Sequence, residues 1–184
     1  MVETVVTTTN PDGSTNCGAM GVEWGVHEIV LKPFLRTRTM RNLRTNPAAV
    51  VHITDDILLF AQAALGDPHP ASRPAEVVHG AVLEDACSWR EVQVTAIDDS
   101  GQRARVETRV VQRGFGREFV GFNRASAAVL EASILASRIH LVPAAQVRAE
   151  LARLQVVVDK TAGLREHTAM QLVRDYVQER SRTQ

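Results

Sequence analysis

Residues 32–44 (KPFLRTRTMRNLR) bring together four arginines, Arg36, Arg38, Arg41 and Arg44, and two hydroxyls, Thr37 and Thr39. The stretch reads as the end of a strand turning into a short basic helix, closed at Asn46-Pro47 because the residue before proline disfavours helical angles. Thr39 is the expected N-cap, its oxygen accepting a bond from a first-turn amide. A helix start carries partial positive charge and unpaired N–H groups, so threonine and arginine placed there make a phosphate pocket. A capped surface helix with solvated arginines fits the same residues equally well.

Other residues invite chemistry less strongly. Gly121-Phe-Asn-Arg124 repeats the pattern, with Asn123 as cap and Arg124 at the helix start, and ordinary capping is its simpler reading. Asn16 and Met20-Gly21 flank a strand in which Gly21 lets a flat ligand approach the backbone, or marks a bulge. Asp55-Asp56 offers a general base or a cation site, although one Asp capping the next helix while the other faces water is simpler. His52 lies in an apolar run and reads as a hydrogen-bonded core histidine. Cys17 and Cys87 form no CxxC pair, and the six histidines show no metal-ligand spacing. No GxGxxG, P-loop or HExxH is present.

Composition narrows the class. The 184 residues suit one domain with a small appendage and bury enough surface to need no disulfide or metal. Basic and acidic residues balance at 21 each and aromatics are 4%, which argues against a nucleic-acid binder built on Arg36 to Arg44. Two cysteines, no leader peptide and no apolar run of about 20 residues lead to the expectation of a cytoplasmic protein.

The elements that must position these groups follow in order. Strands are expected over residues 3–9 and 14–22, joined by the turn Asn10-Pro-Asp-Gly13, then over 26–31 and 48–54. A helix over 57–65 and a proline-rich loop over 66–76 precede strands over 77–97. In the return strand Arg103, Arg105, Glu107 and Arg109 face one side, while Ala104, Val106, Thr108 and Val110 face the other. Three helices end the chain, carrying Leu130 and Ile134, then Val147, Leu151 and Leu154, then Ala169, Leu172, Val173 and Tyr176 on their apolar faces. Six or seven strands with hairpin connections suit an α+β antiparallel barrel over residues 1–120, with a helical subdomain over 121–184.

Three stretches then resemble a known family: Thr7-Thr-Thr…Asn16-x-x-Ala-Met-Gly21, Leu31-Lys-Pro-Phe-Leu-Arg-Thr-Arg-Thr-x-x-Asn-Leu43 and Val51-His-Ile-Thr-Asp-Asp56. Gly121-Phe-Asn-Arg-Ala…Glu131-Ala-x-Ile-Leu-Ala-x-Arg138 extends the match. The chain resembles the DUF447 family, which has the FMN-binding split β-barrel fold of the flavin reductase-like group. The resemblance implies a homodimer with FMN in grooves between subunits, the phosphate at Thr37-Arg-Thr39 with Arg36 and Asn42 beside it, and Asn16 to Gly21 along the ring. It also implies a flavin-dependent reaction on an unidentified small molecule, with a hint of methanopterin-linked C1 metabolism, or a non-catalytic flavin carrier. Ala19 stands where the family commonly has proline. No acid–base residue is nominated, His27 and Asp55 being the least unsuitable.

Overall fold

The computed structural model describes residues 1–182, so the last two residues of the expected helical subdomain lie outside the described part. The chain runs β1 (Val2–Thr9), β2 (Thr15–Trp24), β3 (Glu28–Leu31), α1 (Arg38–Thr45), β4 (Ala48–Ile53) and α2 (Ile57–Leu65). It continues through β5 (Ser72–Pro74), β6 (Ala81–Leu83), β7 (Ser88–Asp98) and β8 (Arg105–Phe115) to α3 (Arg124–Ser137), α4 (Ala144–Thr161) and α5 (Leu164–Arg182). Two compact units result, one of residues 1–54 and 67–119, the other of 55–66 and 120–184. α2 therefore belongs with the C-terminal helices although it lies within the barrel's stretch of sequence.

The first unit is the expected antiparallel barrel. Six strands close in the order β1-β2-β3-β8-β7-β4, with β4 returning to β1. The β1–β2 turn forms as its sequence dictates: Gly13 takes φ 85°, a left-handed value that glycine adopts without a side-chain clash. The Gly13 N–H donates to the Asn10 carbonyl at 2.9 Å. Inside the barrel Val6, Val22, Ile29, Leu31, Val51, Val92 and Val106 pack with Met40 and Leu43 of α1. The segment expected as a loop over 66–76 contributes β5, which pairs with β6 as a separate ribbon.

That ribbon covers an outer face, so β1 and β4 are buried on both sides and lack the alternation of a half-exposed strand. Polar anchors hold it. The Thr7 hydroxyl donates to the Ala81 carbonyl at 2.6 Å. Glu91, fully buried, accepts from the amides of Glu76, Val77 and Val78 at 2.9, 2.7 and 3.0 Å. β8 alternates as expected through Val106 and Thr108, continuing the buried side of Ala104 just before it. A bulge then inserts an extra β8 residue, because Glu91 faces Gln112 while Val92 faces Val110.

In the second unit Asp56 caps α2, accepting from the amides of Leu58 and Leu59 at 3.0 and 3.1 Å. Its neighbour Asp55 accepts from the Val120 amide at 2.9 Å. The buried faces of two helices differ from the expected ones. α3 buries Ala125, Ala128, Val129, Ala132, Ser133 and Ala136, with Leu130 and Ile134 only half-buried, since mostly small side chains let helix backbones approach. α5 buries Ala169, Met170, Val173 and Val177, which displaces Leu172 and Tyr176 to the margin. None of the described helices is long and apolar enough to cross a membrane.

His52 is the satisfied core histidine that its apolar surroundings suggest. Its ring is 0% exposed, with Nδ1 3.0 Å from the Val5 carbonyl and Nε2 accepting from the Leu83 amide at 3.1 Å. Only the neutral Nδ1–H tautomer serves both bonds. Burial lowers its pKa from 6.5 to about 4, against the Val5 carbonyl, which raises it. The unfolded chain therefore binds a proton that the folded chain refuses as pH falls from 6.5 towards 4, and stability is lost across that window. About 3 kcal/mol should disappear, from 1.36 kcal/mol per pKa unit. Denaturant melts of wild type and His52→Gln across this range check it: the variant's curve should be flatter.

Candidate functional site

α1 begins at Arg38, and its N-cap is Thr37 rather than Thr39. The Met40 amide donates to Thr37 Oγ1 at 3.3 Å, and the Thr37 hydroxyl donates back to the Phe34 carbonyl at 2.8 Å. The helix starts earlier than expected because the Thr37 amide also turns back onto Phe34, at 3.1 Å, while Phe34 bridges to Arg103. No acidic residue lies in the first turn. The amides of Arg38 and Thr39 precede any carbonyl that the helix could offer them. The start of α1 thus has the electrostatics of an anion site.

Thr39 has a different task, two residues past the cap. It is 5% exposed and its hydroxyl accepts from Asn16 Nδ2 at 3.1 Å. The same Asn16 amide donates to Thr8 Oγ1 at 3.1 Å. Asn42 Nδ2 donates to Thr8 Oγ1 at 3.0 Å and to Asn10 Oδ1 at 2.8 Å. Asn16, Thr39 and Asn42, proposed from sequence as cofactor contacts, are brought together as a buried polar layer seating α1 on the β1–β2 hairpin. Gly18 completes the seat, since a Cβ there would lie 3.1 Å from Thr39 Oγ1.

The exposed arginines divide. Arg38 forms an ion pair with Asp67, a residue that sequence reading left without a role. Both partners are substantially exposed, so the pair is worth at most about 1 kcal/mol. Arg44 pairs with Asp99 at 2.7 Å, Arg41 donates to the Arg36 carbonyl at 3.1 Å, and the Arg36 side chain is exposed. Cys17, buried on β2, is pushed up to about 12 by burial and then by the Asp67 carboxylate, so it stays a thiol and is no nucleophile.

The remaining sequence candidates have other local surroundings. Met20 turns into the barrel core, and its carbonyl accepts from the Thr4 hydroxyl at 2.8 Å. The space above Gly21 is filled by Met1 and Glu3 side chains, which lie 2.8 and 2.9 Å from a Cβ built there. Asn123 caps α3 in the helical unit, accepting from the Ala125 amide at 2.8 Å, and Arg124 is exposed beside it. His27 sits at the β2–β3 turn within 3.5 Å of an Arg113 guanidinium nitrogen.

Comparison with known proteins settles the lineage. Residues 2–117 match the family described as protein of unknown function (DUF447), N-terminal domain, and residues 123–175 match protein of unknown function (DUF447). The chain belongs to the DUF447 family. A DUF447 structure, the FMN-bound protein MM1853 of Methanosarcina mazei, is similar at TM-score 0.83 and 20% identity over 95% of this chain and 93% of that one. The styrene monooxygenase flavin reductase of Pseudomonas putida S12 is similar at 0.55 and 14%, over 62% and 80%. The 2-nitrobenzoate 2-nitroreductase of Pseudomonas fluorescens is similar at 0.53 and 18%, over 61% and 64%. At these identities the likeness is one of fold: DUF447 shares the flavin reductase-like split barrel. No curated protein matches the chain in sequence.

If the buried layer seats α1, truncating its most connected amide should loosen the helix. Asn42→Ala removes two hydrogen bonds, leaving Thr8 Oγ1 with the Asn16 donor alone and Asn10 Oδ1 without its Asn42 donor, for a loss of about 2 kcal/mol in urea unfolding. An exposed control, Arg41→Ala, should lie within about 0.5 kcal/mol of wild type.

Proposed function

We propose that the chain is an FMN-binding flavoprotein that acts as an oxidoreductase on a small molecule, as a cytoplasmic homodimer. The observation carrying this reading is the start of α1, free of acidic residues in its first turn, capped by Thr37 and flanked by Arg36 and Arg38. The donor set fits a phosphate: two first-turn amides at a threonine-capped helix start and a guanidinium fork. A relative of the same fold and family, similar over 95% of this chain, is FMN-bound.

In this reading Thr37, Arg38 and the Thr39 amide hold the phosphate, with Arg36 adding charge. Asn16, Asn42 and the Thr39 hydroxyl keep the helix start aimed. Backbone groups of Asn16 to Gly21 run along the ring side. Bound FMN supplies hydride and electron transfer, so no protein nucleophile is required. Exposed Val26, Val77 and Phe115 give the barrel unit apolar surface of the kind a second copy covers. One observation favours a second reading, a non-catalytic flavin carrier: the side chains meeting at the start of α1 are arginine, threonine and asparagine, which bind and orient but move no protons at neutral pH.

The absorbance spectrum of the purified protein, before and after added FMN, tests binding, and a protein that never takes up flavin overturns the proposal. Turnover of bound flavin with a reduced nicotinamide donor and an acceptor separates enzyme from carrier. Arg38→Ala should weaken FMN by about 1.5–3 kcal/mol while leaving riboflavin nearly unchanged, the loss expected for one charged hydrogen bond. Asp67→Asn should act oppositely and tighten FMN, because the competing carboxylate on Arg38 is gone; titrations of both flavins by fluorescence quenching measure each effect.

A further inference from the structure

A second concentration of positive charge lies elsewhere on the barrel. The start of α1 touches Gly18, whereas this locus gathers at the far end of β2, beyond Trp24. Between Gly18 and Trp24 run about 20 Å of strand. Arg90 on β7 and Arg113 on β8 are directly opposed in the register. The bulge before Gln112 causes this. Without the extra residue Arg113 would continue the outward row of Arg105 and Arg109, but with it Arg113 shares the barrel-inward face of Arg90.

Like charges placed directly across a strand pair are destabilising, and ordinarily a carboxylate relieves them. Among the described residues no carboxylate forms an ion pair with either group, although Arg38, Arg44 and Arg105 each have one. Both guanidiniums are instead fixed by backbone carbonyls and ring contacts. Arg90 donates to the Trp89 carbonyl at 2.8 Å and lies 5.3 Å from the Trp24 ring centroid. Arg113 donates to the Val26 carbonyl and comes within 3.5 Å of His27 Nδ1. Each holds its fork in place while spending one of five N–H donors on a carbonyl. Burial, and then Arg113, lower the pKa of Arg90, so its charge is held against its surroundings. Two preset, uncompensated forks are the donor arrangement of oxyanion recognition.

We propose that Arg90 and Arg113, backed by Trp24 and His27, form a binding site for an oxyanion, the phosphate or carboxylate group of a small molecule, separate from the start of α1. The site does not depend on the flavin reading. Inorganic phosphate and acetate, titrated separately into the protein and followed by tryptophan fluorescence and melting temperature, test it. At least one of them should give a saturable signal and raise the melting temperature. Arg113→Gln should weaken that binding about tenfold or more, the loss of a charged bidentate contact, while Arg148→Ala, exposed on α4, leaves it unchanged. Arg113 is exposed, so its variant folds, and without ligand it should melt at or above the wild-type temperature because the opposed charges are relieved. Saturation by phosphate alone marks a phosphoryl ligand, by acetate alone a carboxylate, and by both a general oxyanion site. Linear, unsaturable responses to both anions, or undiminished binding in Arg113→Gln, overturn the proposal.

Discussion

The barrel end that presents α1 depends on four buried polar side chains, Thr8, Asn16, Thr39 and Asn42, each no more than 6% exposed. A buried amide or hydroxyl without a partner costs about 1–3 kcal/mol, so such a layer tolerates only arrangements that satisfy its members. That makes it a register lock. Slipping β1 by one residue would carry Thr8 to the outer face and bring Thr7 inward, yet the Thr7 hydroxyl is already committed to Ala81. The pairing of the first hairpin, the seat of α1 and the attachment of the outer ribbon are therefore one constraint. Met40 and Leu43, buried from the other side of α1, supply the apolar half of the same seat.

The outer face obeys a similar rule with one exception. His52, Thr7 and Glu91 each present buried polar atoms, and each meets the backbone of the ribbon or of residues 76–78. Trp89 lies beside them, 5% exposed, and its Nε1–H has no partner among the described residues. Shape explains why it persists. The indole occupies the space above Gly114, where a Cβ would stand 1.9 Å from the ring. Burying a ring of that size contributes on the order of 2–3 kcal/mol, enough to offset an unmade neutral hydrogen bond. Packing wins there, whereas charge and register decide at Glu91 and His52.

Much of this was legible in the sequence where a local signal has a single physical outcome. Asn10-Pro-Asp-Gly13 made its turn, Asp56 and Asn123 capped their helices, and Val106 and Thr108 alternated inward. What stayed hidden depends on partners remote in sequence or on one-residue shifts. Thr37 and Thr39 are both competent caps, and the turn onto Phe34 chose between them. Asp67 lies 29 residues from Arg38 in a proline-rich stretch, so only folding shows the pair. The bulge in β8 adds one residue without any glycine or proline to announce it, and thereby reverses which face Arg113 takes. The helical faces were misjudged by size: large Leu130 and Ile134 attract notice, but closely packed helices bury alanine and serine.

The two cationic loci of the barrel unit differ in how their charge is met, and that bears on what each can select. At α1, Asp67 already compensates Arg38, through an exposed contact worth at most about 1 kcal/mol. An incoming anion must outcompete a carboxylate there. Another carboxylate gains little by exchange, since it offers the same charge and the same two oxygens. A phosphate carries about −1.5 to −2 charge and three acceptor oxygens, so it can take the guanidinium and the first-turn amides together. The resident carboxylate thus acts as a threshold favouring the more highly charged ligand. Arg90 and Arg113 have no such competitor, and discrimination there rests on geometry alone: two forks fixed by Trp89 and Val26 carbonyls at a separation set by the β7–β8 ladder.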